Sequence, residues 1–207
     1  MRSSFSLDLQ KKLSRASKFA LADVRAMTRD EALYGVSLIT NPLGTAVSLI
    51  AQTEENLDRK VCQMLEQGEW SSQAGDAQSL LKTTQRWTGE GWLAFEPIFE
   101  DVNRFLGALY GADPDAFFDS GVTRLVFLCC LTVLGALDAQ GRFGRGRQRD
   151  SVVLNLFISD QSEEELIAWA RSINPQEASD RYARELRGAG RAFKRLAYAR
   201  KESARRG

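Results

Sequence analysis

Residues 122–175 read VTRLVFLCCLTVLGALDAQGRFGRGRQRDSVVLNLFISDQSEEELIAWARSINP, and they decide the fold. Val122–Leu137 carries apolar side chains on every side of a 3.6-residue helix, which predicts burial almost all round. The charge-free run from Leu125 to Leu137 is short of the roughly 20 residues a bilayer span needs. Gly141 is the expected helix stop, and the loop Gly141–Arg149 follows with three glycines and four arginines. Val152–Ser159 is rich in β-branched and large apolar residues, the pattern of an interior strand flanked on both sides. Ser162 with Glu165 three residues on forms a capping box, so Glu163–Ile173 reads as a helix. Asn174-Pro175 ends that helix and opens another.

Working outward, Leu9, Leu13, Ala16, Ala20, Val24 and Met27 make one apolar stripe on a helix over about residues 8–28. Leu33–Thr40 and Thr45–Ala51 read as strands, joined through Asn41-Pro42-Leu43-Gly44 as a hairpin. Tyr34, Val36 and Leu38 are expected on one face, beside Val47, Leu49 and Ala51. Thr53 caps a helix to Glu66, Gly68–Gly75 reads as a loop, and Ala77–Arg86 reads as a short helix. Helical spacing resumes over Phe95–Tyr110, and Asp113-Pro114 opens a helix through Phe118. The order α-β-β-α-(α)-α-α-β-α-α predicts an α+β domain over residues 1–175, with a small, mainly antiparallel sheet made of the hairpin and one distant strand, packed by several helices. Residues 176–207 form a basic C-terminal helical arm, with Tyr182, Leu186, Ala189, Phe193 and Leu196 as its apolar stripe.

The chain has 207 residues, 43% hydrophobic and 27% charged, the make-up of a soluble globular protein. No secretory signal or membrane span is expected, and three cysteines make no disulfide framework, so a cytoplasmic location is expected. Net charge is +1 but uneven: residues 51–120 carry −8 and residues 171–207 carry +7. Most such charge solvates the surface, and the remainder marks candidate partner surfaces.

The chain contains no histidine. That excludes the ordinary Ser-His-Asp and Cys-His arrangements and most zinc sites. The glycine rhythm of Gly141–Gly146 follows a helix and precedes a strand, the reverse of a dinucleotide fingerprint. No cofactor or metal is therefore expected. Arg142, Arg145 and Arg147 are candidate phosphate-binding residues, against the blander reading of a solvated loop. The carboxylates Glu54, Glu55, Asp58, Glu96, Glu100 and Asp101 show no coordination spacing. Glu54 and Glu55 also suit the first turn of a helix for dipole reasons alone. Trp87 and Trp92 are either interface anchors or a small core under a loop.

Several pieces in order carry a family resemblance: the strand Leu33–Thr40; Ala51-Gln-Thr-Glu-Glu55 opening a helix; Arg86-Trp87 with Trp92; and Phe99-Glu-Asp-Val-Asn103. They continue with Leu137-Asp138 running into Gly141-Arg-Phe-Gly144, the strand to Ile158-Ser-Asp160, and the ending Ser172-Ile-Asn-Pro175. Over about residues 33–175 the chain resembles the bacterial family catalogued as domain of unknown function 4303. The resemblance implies no particular activity. Some related small bacterial domains sit beside toxins as immunity proteins, which is the context it suggests. The resulting expectation is a non-enzymatic protein-binding domain that neutralises a toxin, with Glu54, Glu55, Trp87, Trp92, Glu100 and Asp101 as partner-binding candidates. The alternatives are nucleic-acid association through the basic arm and an enzyme with a carboxylate site.

Overall fold

The computed structural model describes residues 2–67, 76–119, 121–159 and 161–206. The loop expected over Gly68–Gly75 lies outside them. The chain opens with helix α1 (Arg2–Met27), whose residues Leu9, Leu13, Ala16, Ala20 and Val24 are buried as their spacing predicts, whereas Met27, the last member of the expected stripe, is 61% exposed at the helix end. Strands β1 (Leu33–Thr40) and β2 (Val47–Thr53) form the antiparallel hairpin. Its turn is closed by Asn41, whose side-chain oxygen accepts from the Thr45 amide at 2.9 Å. Helix α2 (Glu54–Glu66) begins at the Thr53 cap, whose hydroxyl accepts from the Asn56 amide. Helix α3 (Ala77–Gln85) and the two-residue strand β3 (Leu93–Ala94) follow, then a 3-10 turn (Glu96–Phe99), α4 (Glu100–Ala112) and α5 (Pro114–Asp119). The long helix α6 (Val122–Ala139), a single turn α7 (Arg147–Asp150), strand β4 (Val153–Ile158), α8 (Glu163–Ile173) and α9 (Gln176–Arg206) complete the chain.

The fold is α+β, with the sheet in the order β3-β2-β1-β4. β3-β2-β1 is antiparallel, and β4 joins β1 in parallel, so the sheet is mixed. The parallel pairing follows from the connection. Between β1 and β4 the chain passes through β2, β3 and several helices, a connection long enough to return a strand parallel to β1. β4 is an edge strand, not the flanked strand its sequence predicts. Its apolar run is explained by burial on both faces, under the helical layer on each side; face burial says nothing of whether a strand's two edges are paired.

On one face α1, α4 and α6 pack over Val36, Leu38, Leu49, Ala51, Leu154 and Leu156. On the other, α2, α3, α8 and α9 enclose Tyr34, Ile50, Val153 and Phe157 with Trp87 and Trp92. Tyr34 does not share the face of Val36 and Leu38. A β-bulge between Leu33 and Gly35 turns it to the opposite side. Gly35 lies under the indole of Trp92, where a Cβ would come within 2.7 Å of the ring.

α6 also departs from expectation. It buries Val126, Cys129, Cys130, Val133, Leu134 and Leu137 and leaves Leu128 50% exposed, so its apolar surface is wider than the face it packs. By length and composition α6 could cross a bilayer; here it packs against α1, β4 and α8. It ends in a Schellman motif: the Gly141 amide, at φ +72°, bonds to Asp138 O and the Arg142 amide to Leu137 O. α9 packs against α3, α8 and β4, burying Ala178, Tyr182 and Ala183 and, further along, Ala192 and Leu196.

Candidate functional site

A cleft of about 840 Å³ lies where the end of α1 meets the beginnings of β1 and α2, the Gly141–Val152 segment and α9. Local sequence builds each wall. The Ala32 amide donates to Glu55 Oε2 at 2.8 Å and the Glu54 amide to Ala32 O at 3.0 Å, which ties the approach to β1 onto the start of α2. Glu31 accepts from the Thr53 hydroxyl and from Arg59 at 2.8 Å. Arg25 donates to Arg142 O at 2.6 Å and fastens the glycine loop to α1. Arg181 of α9 spans Asp150 O and Ser151 O, both at 2.8 Å, and fastens its other end. Phe143, buried at the centre of that loop, anchors it to the core.

One wall is an ion-pair and ring network. Arg86 holds Glu54 with two parallel bonds of 2.6 and 2.8 Å, and Lys82 adds a contact at 3.4 Å. The Arg86 guanidinium lies 4.6 Å from the Tyr34 ring centroid, and the Tyr34 hydroxyl donates to Arg86 O. Burial pushes the Glu54 carboxyl upward, but the Arg86 bonds and the charges of Arg86 and Lys82 outweigh it, so Glu54 sits below the ordinary carboxylate value. Burial pushes the Tyr34 hydroxyl far up and keeps it a neutral donor. Trp87 donates from Nε1 to Glu185 at 2.9 Å and meets Tyr182 edge-on at 4.8 Å. Glu31, Glu54 and Glu185 are therefore each engaged by a protein partner, whereas Arg29 and Arg142 present exposed guanidinium groups. Chemically the cleft is suited to holding an anion. Among the described residues no group of three metal-ligating side chains gathers.

The candidate residues from sequence separate into three places. Glu54, Trp87 and Arg142 line the cleft, and Glu55 caps its edge through Ala32. Trp92 packs at 6% exposure against Trp87, Tyr34 and Phe157, in the core on the same side of the sheet. Glu100 and Asp101 are exposed on α4, in the opposite helical layer, each within 3.5 Å of Arg104. Arg145 and Arg147 are exposed on the loop and α7, outside the cleft lining. Arg25 and Arg29, at and just after the end of α1, were not singled out because an arginine there reads as a solvated charge, and Arg181 was read only as part of the basic arm. Also missed was the cluster that supports the loop from below. Buried Arg149 bonds to the Asp138 carboxylate, to Val152 O at 2.6 Å and to Asn174 Oδ1 at 3.1 Å. Its signal, an arginine eleven residues after an aspartate, has no periodic meaning and was invisible without the fold.

The members of that cluster, and the strands and tryptophans around them, fall inside the segment shared with other chains. The family described as Domain of unknown function (DUF4303) matches residues 13–175. No curated protein and no solved structure matches the chain. The match takes in the sheet, α2–α8 and most of α1, and stops at Pro175, just before α9; the chain belongs to the DUF4303 family.

Proposed function

We propose that the chain is a non-enzymatic binding protein that docks a basic partner protein, acting as an immunity protein that neutralises a toxin. The observation that carries this reading is the outer surface of α4 and α5. Glu96, Glu100, Asp101, Asp115 and Asp119 are exposed there, with Arg104 beside Glu100 and Asp101, and with Leu109 38% and Phe118 41% exposed among them. Acids around apolar anchors suit an interface in which charge steers the encounter and a desolvated centre holds it. The outer face of α4 is also unusually flat. Gly107 and Gly111 are exposed, and a Cβ at either would meet nothing within 4 Å. Internal packing thus gives no reason for two glycines that each cost about 1 kcal/mol in a helix, and close approach of a partner supplies one. Glu54, Glu55, Trp87 and Trp92, held in the network of the cleft and the core, fit a supporting role for the fold better than partner contact.

The test is co-expression with a toxic basic protein encoded beside this chain. The parent chain restores growth and copurifies with it. The variant E100K/D101K/D115K/D119K folds and does neither. Rescue by that variant at the parent's level would overturn the reading.

A second reading rests on α9. Its packed stripe leaves Arg184, Arg187, Arg191, Lys194 and Arg195 exposed beside Phe193 and Tyr198, the mixture of cations and aromatics that suits single-stranded nucleic acid. Salt-dependent RNA binding that is abolished by R191E/K194E/R195E, in a chain whose α4–α5 charge reversal has no effect, would favour it.

A further inference from the structure

We infer that the cleft between α1, the Gly141–Arg149 loop and α9 binds a small organic phosphate. The inference does not rest on the toxin-partner reading, whose surface lies in the α4–α5 region. At about 840 Å³ the cleft has the size of a small-molecule site, which typically spans about 300–1,000 Å³. Its charge is the first argument. Five arginines line it against three glutamates, and those glutamates already have partners: Glu54 has Arg86, Glu31 has Arg59, and Glu185 has the Trp87 indole. The surplus of positive charge matches the roughly −1.5 to −2 carried by a phosphate monoester near neutral pH.

Placement is the second argument. Arg25, Arg29 and Arg142 are exposed on adjoining segments, and the Arg25 bond to Arg142 O sets the distance between those segments. Guanidinium forks bind phosphate oxygens in pairs. Arg86 stays paired with Glu54 on the opposite wall, so the phosphate contacts fall to Arg25, Arg29 and Arg142. The wall is the third argument. Tyr34, Phe143 and Val152 give the cleft an apolar side for the organic part of the ligand, which inorganic phosphate lacks. Backbone geometry is consistent: Gly141 and Gly144, at φ +72° and +97°, keep the loop tight and close to the bound group.

The experiment is isothermal titration of the full chain with adenosine monophosphate, inorganic phosphate and adenosine as probes. The expected result is saturable binding of adenosine monophosphate, competed by inorganic phosphate, with adenosine at least about tenfold weaker because it cannot engage the arginines. R29A/R142A, checked for an unchanged far-ultraviolet spectrum and melting temperature, weakens the monophosphate at least about tenfold. R145A, on the same loop but outside the cleft, leaves it within about twofold. If R29A/R142A should soften the fold, R29Q/R142Q is the second variant, with the same expectation. Absence of saturable binding by both phosphates overturns the inference. So does equal affinity for adenosine and its monophosphate, or binding that R145A abolishes and R29A/R142A does not.

Discussion

Asn174 does for the open edge of the sheet what a fifth strand would do. Its amide accepts from the Leu154 N–H at 2.8 Å and donates to Leu154 O at 2.7 Å, while also donating to Ala170 O at the end of α8. Arg149 bonds to the same Asn174 and to the carboxylate of Asp138, so one cluster joins the end of α6, the start of β4 and the end of α8. Removing the amide leaves buried backbone groups of β4 unpaired, each worth about 1–3 kcal/mol. Asn174→Ala is therefore expected to cost about 3 kcal/mol in urea unfolding, with accelerated amide exchange at Leu154. Unchanged stability and exchange would show that water replaces the side chain without loss. Titration supplies a second residue-scale prediction. Glu54 is ionised below the usual carboxylate value because its bonds and charges with Arg86 and Lys82 outweigh its burial. A depressed folded value contributes stability that is fully present above the unfolded value near 4.5 and is lost as pH falls through the folded one. The urea midpoint of the parent should fall steeply below pH 4.5, and Glu54→Gln should be less stable at pH 7 with a shallower acid limb. An equally steep limb in the variant would assign the acid sensitivity elsewhere, Glu31 with Arg59 being the next pair.

At the scale of elements, helix α6 separates hydrophobic composition from burial. Leu134 is fully buried and Leu128 is half exposed on the same helix. Leu134→Asp should unfold the domain, since an unpaired buried charge costs more than the whole stability of a typical domain can absorb. Leu128→Asp should shift the melting temperature by no more than a surface substitution does, within about 0.5 kcal/mol. Equal damage from both would mean that α6 is enclosed all round. The sequence made both residues look alike because an all-apolar helix has no polar face to orient it. The same ambiguity hid the edge position of β4. Continuous apolar strands mean burial on both faces, and periodicity cannot distinguish strand neighbours from helices. Features with local chemistry were legible: the Ser162 capping box, the Thr53 cap and the hairpin turn at Asn41 sit where their side chains demand, and the Gly141 stop where a positive φ is needed. The two-residue strand β3 and the bulge that turns Tyr34 were not, since each is set by tertiary contacts of Trp92 and Gly35 rather than by pattern. The cleft was legible only in part. Glu54, Trp87 and Arg142 were marked by their chemistry, whereas Arg25, Arg29 and Arg181 meet them only through the fold.

Across the whole molecule, charge and packing divide the chain into regions with different roles. α9 follows the family segment and carries much of the positive charge, yet Tyr182 is completely buried between β4 and α8 and bonds to Asn155 at 3.0 Å. Ending the chain at Pro175 should therefore destabilise the rest. The exposed site of one large buried aromatic alone is worth about 3–5 kcal/mol, a fall of roughly 10 °C or more in melting temperature for a chain of this size. An unchanged melting temperature would make α9 a separable arm. The acidic surface of α4–α5 lies in the other helical layer, so it can meet a basic partner while the cleft and α9 remain open. The most direct test of the proposed binding function is the association rate of a copurifying basic protein with E100K/D101K/D115K/D119K at two ionic strengths. If the proposed reading holds, the variant folds and associates at least about tenfold more slowly than the parent at low salt, with the gap closing as salt screens the charges. Equal association rates for parent and variant at low salt would contradict it.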